Sequence, residues 1–189
     1  MIANVSFSNA LREPSRSFWP VESESERSRL LLEPEANTAV TIEDLEWVRK
    51  YWFDAGRLMH ESREFNLAFQ AFDQSSFARS AVLALLLLWG GFEALFSAGR
   101  SELRFRVSAN IATFLEAPGK GRAVLQRGVA KLYDARSAAA HGRPDQADDP
   151  LIKTYALFKR ALLKIIAENR VPSVDEIESA LFGAAEISS

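Results

Sequence analysis

Apolar residues return every three or four positions along most of this chain, in blocks separated by polar turns. The first block is "TIEDLEWVRKYWFDAGRLMHES", where Leu45, Val48, Trp52, Ala55 and Met59 fall on one stripe of a helix. Thr41 with Asp44 three residues on gives it a capping-box-like start. "REFNLAFQAFDQS" follows, with Phe65, Phe69 and Phe72 on one side. A third helix is predicted from about Ser76 to Ser97. It is apolar on nearly every side and so reads as the central helix. Gly90 and Gly91 within it either weaken it or let another helix come close.

"SELRFRVSANIATFLEA" reads as a fourth helix, capped by Ser101 and ended by Pro118–Gly119. A fifth runs from about Lys120 to His141, where Gly142 and Pro144 stop it. After the polar loop "RPDQADD", "PLIKTYALFKRALLKIIAEN" is a clear amphipathic sixth helix. "SVDEIESALFG" is a short seventh beyond Pro172. No stretch alternates with period two. The pattern therefore predicts an all-α, up-and-down helical bundle of about five to seven helices over residues 41–185. Residues 1–40 lack sustained periodicity. Ser and Glu there mix with two apolar knots, Phe18–Trp19 and Leu30–Leu32, which reads as a partly ordered arm able to clamp onto the domain.

Composition narrows the chemistry. The 189 residues suit one sizeable core and include no cysteine, which removes disulfides, thiolate zinc sites and cysteine nucleophiles. It fits a cytoplasmic setting, as does an N-terminus without a basic region followed by an apolar run. Arg79 and Glu93 bracket thirteen uncharged residues, whereas a membrane span needs about twenty. That stretch is a buried core helix, and no membrane is expected as a partner. A net charge of −2 argues against strong non-specific nucleic-acid binding. The charge is uneven, however: residues 100–143 hold nine basic side chains against three acids. That excess puts a positive field around the one segment with candidate chemistry.

The segment is "KLYDARSAAAHGRP", residues 131–144. Leu125, Val129, Leu132 and Arg136 follow helical spacing, so Arg136 continues an apolar stripe and points toward a core or an interface. A guanidinium there needs a partner, and Glu93, which interrupts the most apolar helix, needs one too. One reading of Arg136 is thus a structural ion pair with Glu93. Asp134, Ser137 and His141 share a face and suggest a catalytic triad. Seven residues of helix, however, separate the acid from the imidazole by about 10 Å, so Asp134 cannot orient the ring. Ser137 and His141, four apart, are close enough to hydrogen-bond. His at a helix C-terminus also has a plain reading as a partner of the helix dipole, and His60 at the end of the first helix fits it. Two distant histidines and no cysteine leave no metal cluster, and no cofactor is called for. "APGKGR" lacks the spacing, the Ser or Thr after Lys and the preceding strand of a phosphate loop.

From about residue 41 to 168 the chain resembles the Apea-like branch of the HEPN (higher eukaryote and prokaryote nucleotide-binding) superfamily. The likeness rests on "LLLLWGGFEALFS" at 85–97, on Glu102 with "RVSANIATFLEA" at 106–117, and on "LYDARSAAAHG" at 132–142. It implies a helical bundle that dimerises. It also implies a metal-independent ribonuclease whose signature is Arg, four to six residues, then His, two copies meeting across the dimer two-fold. Arg136, Ser137 and His141 match with four intervening residues. Ser137 is a milder version of the Asn, Asp or His that more often follows the Arg. By this likeness Arg136 stabilises phosphate, His141 is the general acid and base, and Ser137 orients it. Arg127, Lys131 and Arg143 bind single-stranded RNA in a defence or stress response, with room for an antitoxin or regulatory protein as a further partner. The competing reading is a non-catalytic module for dimerisation or for RNA or protein binding, with Arg136 held structurally by Glu93.

Overall fold

The computed structural model describes residues 39–97, 102–141 and 148–183, together with an antiparallel pairing of Ile2–Ala3 with Pro20–Val21. The rest of the arm, and with it the reading that it is partly ordered, lies outside the described residues. The described part of the main domain is all-α. Its seven helices are α1 (Ile42–Glu61), α2 (Arg63–Ser75), α3 (Ala81–Phe96), α4 (Leu103–Leu115), α5 (Lys120–Ala140), α6 (Asp148–Glu168) and α7 (Val174–Leu181).

Local chemistry sets most of the boundaries. Thr41 and Asp44 close a full capping box on α1, the Asp44 N–H donating to Thr41 Oγ1 at 3.2 Å and the Thr41 N–H to Asp44 Oδ2 at 2.9 Å. Ser173 and Glu176 repeat the device on α7. Ser62 ends α1 and caps α2. The third helix begins at Ala81 rather than near Ser76, because the Ser80 hydroxyl takes the Leu83 N–H and residues 76–80 turn instead. At α4 the cap position is held by Glu102 in left-handed backbone, φ 55°, with no side-chain cap. Ser101, the expected cap, lies outside the described residues. The sixth helix starts two residues ahead of Pro150, since a proline fits the first turn where its missing N–H is no loss. Asn169, with φ 53°, turns the chain out of α6 in the manner of a C-terminal cap.

α3 lies at the centre, packing on α2, α4, α5 and α6. Its entry into the core depends on Gly91. A Cβ there would stand 2.6 Å from Phe158 Cζ and 3.2 Å from Ala71 Cβ. Phe158 is fully buried and held by other rings, Phe92 at 4.4 Å edge-on and Phe72 at 5.9 Å, with Tyr155 stacked on Phe72 at 4.6 Å. α2, α3 and α6 therefore meet at one point with no room to spare. Gly90 beside it faces open space.

The most enclosed helix is not the most apolar one. Residues 107–115 of α4 are all buried, although they include Ser108, Asn110 and Thr113, while α3 leaves Leu83 and Gly90 exposed. Some of these polar groups are bonded, while Thr113 Oγ1 and Asn110 Oδ1 are buried without a partner. Asn110 Nδ2 donates to the Phe96 carbonyl at 2.9 Å, satisfying the end of α3, and Ser108 Oγ accepts from Gln126 Nε2 at 3.0 Å. The far end of α4 collects cations: Arg122 donates to the Glu116 carbonyl, and Arg160 to the Leu115 carbonyl and the Glu116 carboxylate.

Gly91→Ala is expected to destabilise the fold by about 1–3 kcal/mol through overpacking against Phe158. Gly90→Ala, one residue away, is expected to stabilise it by roughly 0.5–1 kcal/mol through helix propensity alone. Paired denaturant titrations of the two variants check the contrast.

Candidate functional site

α5 carries nearly all the candidate residues, and its two sides have different fates. The inner side holds Val129 and Ala130, both buried, with Leu125, Leu132 and Tyr133 packed against the core. Arg136 follows that line. Its Nη2 stands 3.4 Å from Glu93 Oε1 on α3, with the two side chains 27 and 26% exposed. The contact is a charge approach more than a formed hydrogen bond, since Glu93 Oε1 and Arg136 Nε are both buried without a hydrogen-bond partner.

Two aromatic residues for which the sequence suggested no role complete this cluster. Tyr133 lies beneath the Arg136 guanidinium, 5.5 Å from ring centroid to carbon, and Trp89 meets Tyr133 edge-on at 5.1 Å. Burial first, and the Glu93 charge second, raise the Tyr133 hydroxyl above the usual tyrosine pKa, against the opposing pull of Arg136. Trp89 Nε1 is also buried without a partner. The only signal for the cluster was spacing: Tyr133 three before Arg136, and Trp89 four before Glu93, each pair on one helix face.

His141 goes the other way. It is the exposed C-cap of α5, its backbone N–H shared between the Ser137 and Ala138 carbonyls at 3.2 Å each. On an ideal helix it points about 140° from Arg136 and stands about 7.5 Å further along the axis. Within one chain, the arginine and the histidine therefore do not converge. Ser137 is half-buried one turn below His141, and no hydrogen bond joins its hydroxyl to the imidazole. Arg127 and Lys131 are exposed on the same outer side of α5 as His141. Arg143 lies outside the described residues, as do Gly142 and Pro144.

Several of the arginines of 100–143 are engaged by other parts of the molecule. Arg104 on α4 grips Asp134 with two hydrogen bonds, Nε to Oδ1 at 2.6 Å and Nη2 to Oδ2 at 2.7 Å. Asp134 is thereby engaged away from His141, a second obstacle to a triad beyond the helix rise. Arg106 approaches Glu178 at 3.8 Å, and Arg122 binds the carbonyls that end α4 and α7. Lys120, Arg127 and Lys131 remain as exposed cations, aligned along the outer side of α5. The described groove of about 720 Å³ lies elsewhere, between Arg57, Glu61, Ala94, Asn169 and Val171 at the joined ends of α1, α3 and α6. Among the described residues, no helix is long and apolar enough to cross a membrane.

The hydrogen bond from Arg104 holds the Asp134 carboxyl below the usual carboxylate range. A depressed folded pKa adds stability above the unfolded value and loses it as pH falls through the folded one. Asp134→Asn is therefore expected to melt at most a few degrees below wild type near neutral pH, the pair being solvent-screened. The gap closes in strong acid, and thermal melts across an acid series measure it. No family model, no curated protein and no solved structure matches this chain.

Proposed function

We propose that this chain is a metal-independent endoribonuclease of the HEPN type, acting on single-stranded RNA through a site completed where two copies of α5 meet. The observation that carries the reading is the incomplete state of Arg136 and His141 within one chain. Arg136 has one long contact to Glu93 and a buried Nε with no partner. His141 is open to solvent on the same side of α5 as Arg127 and Lys131, which lie about 21 and 15 Å back along the axis. The two groups point apart on one helix, so a second copy is the simplest way to set an imidazole and a guanidinium on the same phosphate.

The chemistry asks for these groups. One imidazole takes the proton of the 2′-hydroxyl as its oxygen attacks phosphorus. The other gives a proton to the departing 5′-oxygen, leaving a 2′,3′-cyclic phosphate. Arg136 supplies fixed donors to the charge that builds on the phosphorane, and Arg127 and Lys131 steer the strand. Ser137, one turn below, lies where a small shift of the helix end brings its hydroxyl to the imidazole. A defence or stress role goes with the same family likeness, and a cytoplasmic setting with the lack of cysteine.

A second reading has its own support. The 3.4 Å approach of Arg136 to Glu93, with Tyr133 and Trp89 packed around it, suits a structural arginine in a non-catalytic dimerisation or binding module.

Purified protein is incubated with single-stranded RNA in chelator, alongside His141→Ala and Arg136→Ala. The ribonuclease reading expects His141→Ala to lose about 100-fold or more of the cleavage rate with its melting temperature unchanged, since the side chain is exposed. Cleavage unchanged in both variants sinks it. No wild-type cleavage, with Arg136→Ala destabilised by about 1–3 kcal/mol for leaving Glu93 unpaired, selects the second reading.

A further inference from the structure

The first half of α1 presents a broad apolar face to solvent. Residues 41–50 are all exposed. The stripe Leu45, Val48, Trp52, Ala55 and Met59 starts outside the molecule and ends within it. Ala55 and Met59 pack against the core, whereas Leu45, Val48 and Trp52 do not, and Ile42 and Phe53 widen the bare part. Trp52 is 69% exposed and Phe53 84%. An exposed tryptophan, phenylalanine, isoleucine, leucine and valine on adjoining turns are costly to leave in water, and monomers seldom keep patches beyond a few hundred Å². With Val40, this face offers roughly 700 Å² of surface, close to the ~800 Å² each partner contributes to a stable interface.

We infer that α1 is a self-association face, and that its occupant is α1 of a second copy lying antiparallel about Val48. Charge favours this over other arrangements. Glu43 and Glu46 stand on the N-terminal side of Val48, and Arg49 and Lys50 on the C-terminal side. Among the described residues, Glu43, Glu46 and Arg49 have no ion-pair partner, and Lys50 only covers its neighbour Tyr51 at 4.7 Å. In an antiparallel pair, Glu46 of each helix falls within about two residues' rise, roughly 3 Å, of Arg49 on the other. The same register sets Leu45 against Trp52 twice, once on each side of the two-fold. A parallel pair puts Glu46 against Glu46 and gains none of this. The face is separate from α5 and is independent of the ribonuclease reading. If both pairings form, the assembly is a tetramer with two kinds of two-fold.

The full chain and its Leu45→Glu/Trp52→Glu variant are compared by light scattering across a dilution series. Loss of a central tryptophan alone weakens such contacts by roughly 30-fold or more. The variant is therefore expected to show half the wild-type mass at concentrations where wild type is fully associated, with unchanged helix content by circular dichroism. The halving reads on α1 whether wild type is a dimer or a tetramer, and whatever the RNA assay gives. Because the chain has no cysteine, Val48→Cys in the otherwise unaltered protein is a second measure. Mild oxidation is expected to give a disulfide-linked dimer with Val48→Cys and not with Gln70→Cys, which is exposed on α2. A monomeric wild type, as when another part of the same chain covers the face, overturns the inference. So does a variant of unchanged mass, or a Val48→Cys chain that links no faster than Gln70→Cys.

Discussion

The bundle is organised by the contact of one hydrogen atom with one ring. Gly91 lets the backbone of α3 sit against Phe158 of α6 and Ala71 of α2, where an added Cβ would stand 2.6 Å from Phe158 Cζ. Around that point Phe72, Phe92, Tyr155 and Phe158 pack into one group of rings. With α3 fixed on this side by α2 and α6, its opposite side is presented to α5. That is where Trp89 and Glu93 meet Tyr133 and Arg136. The position of the Arg136 guanidinium is thus a consequence of aromatic packing on the far side of the same helix.

Arginines do two kinds of work here, and the distinction separates structure from candidate function. Arg104, Arg122 and Arg160 are tied to a carboxylate or to carbonyls at helix ends, where a cation offsets the dipole and satisfies groups the helix leaves open. Arg136 is neither fully bonded nor fully solvated, and Arg127 stands in water. A count of positive charges along 100–143 therefore does not say which of those cations are free to meet an anion. Among the described residues of that segment, the cations without a partner are Lys120, Arg127 and Lys131 on α5, on the same side of the helix as His141.

Much of the fold was legible in the sequence. Periodicity placed the helices, and Thr41–Asp44 marked one start through chemistry local to four residues. The differences came where several hydroxyls could serve as a cap or where a distant partner decides. The start of α3 moved from Ser76 to Ala81 because Ser80 is the hydroxyl that meets an open N–H. The most enclosed helix is α4, despite Ser108, Asn110 and Thr113; there Asn110 Nδ2 reaches the end of α3 and Gln126 reaches Ser108. At the candidate site, spacing alone aimed Arg136 inward, but the parts of Trp89 and Tyr133 depended on two helices lying side by side.

By itself, the sequence determined the helical class, most boundaries, the absence of cysteine chemistry and the geometric failure of an Asp134–Ser137–His141 triad. All of these follow from intervals of a few residues on a helix of known pitch. The tertiary structure decided which of two adjacent glycines is closely packed and which cations stay free. It also decided that the stripe of α1 outruns the core it helps to build. Those outcomes depend on where separate helices cross, and a repeat of three or four residues records which side of a helix is apolar without recording what, if anything, lies against it.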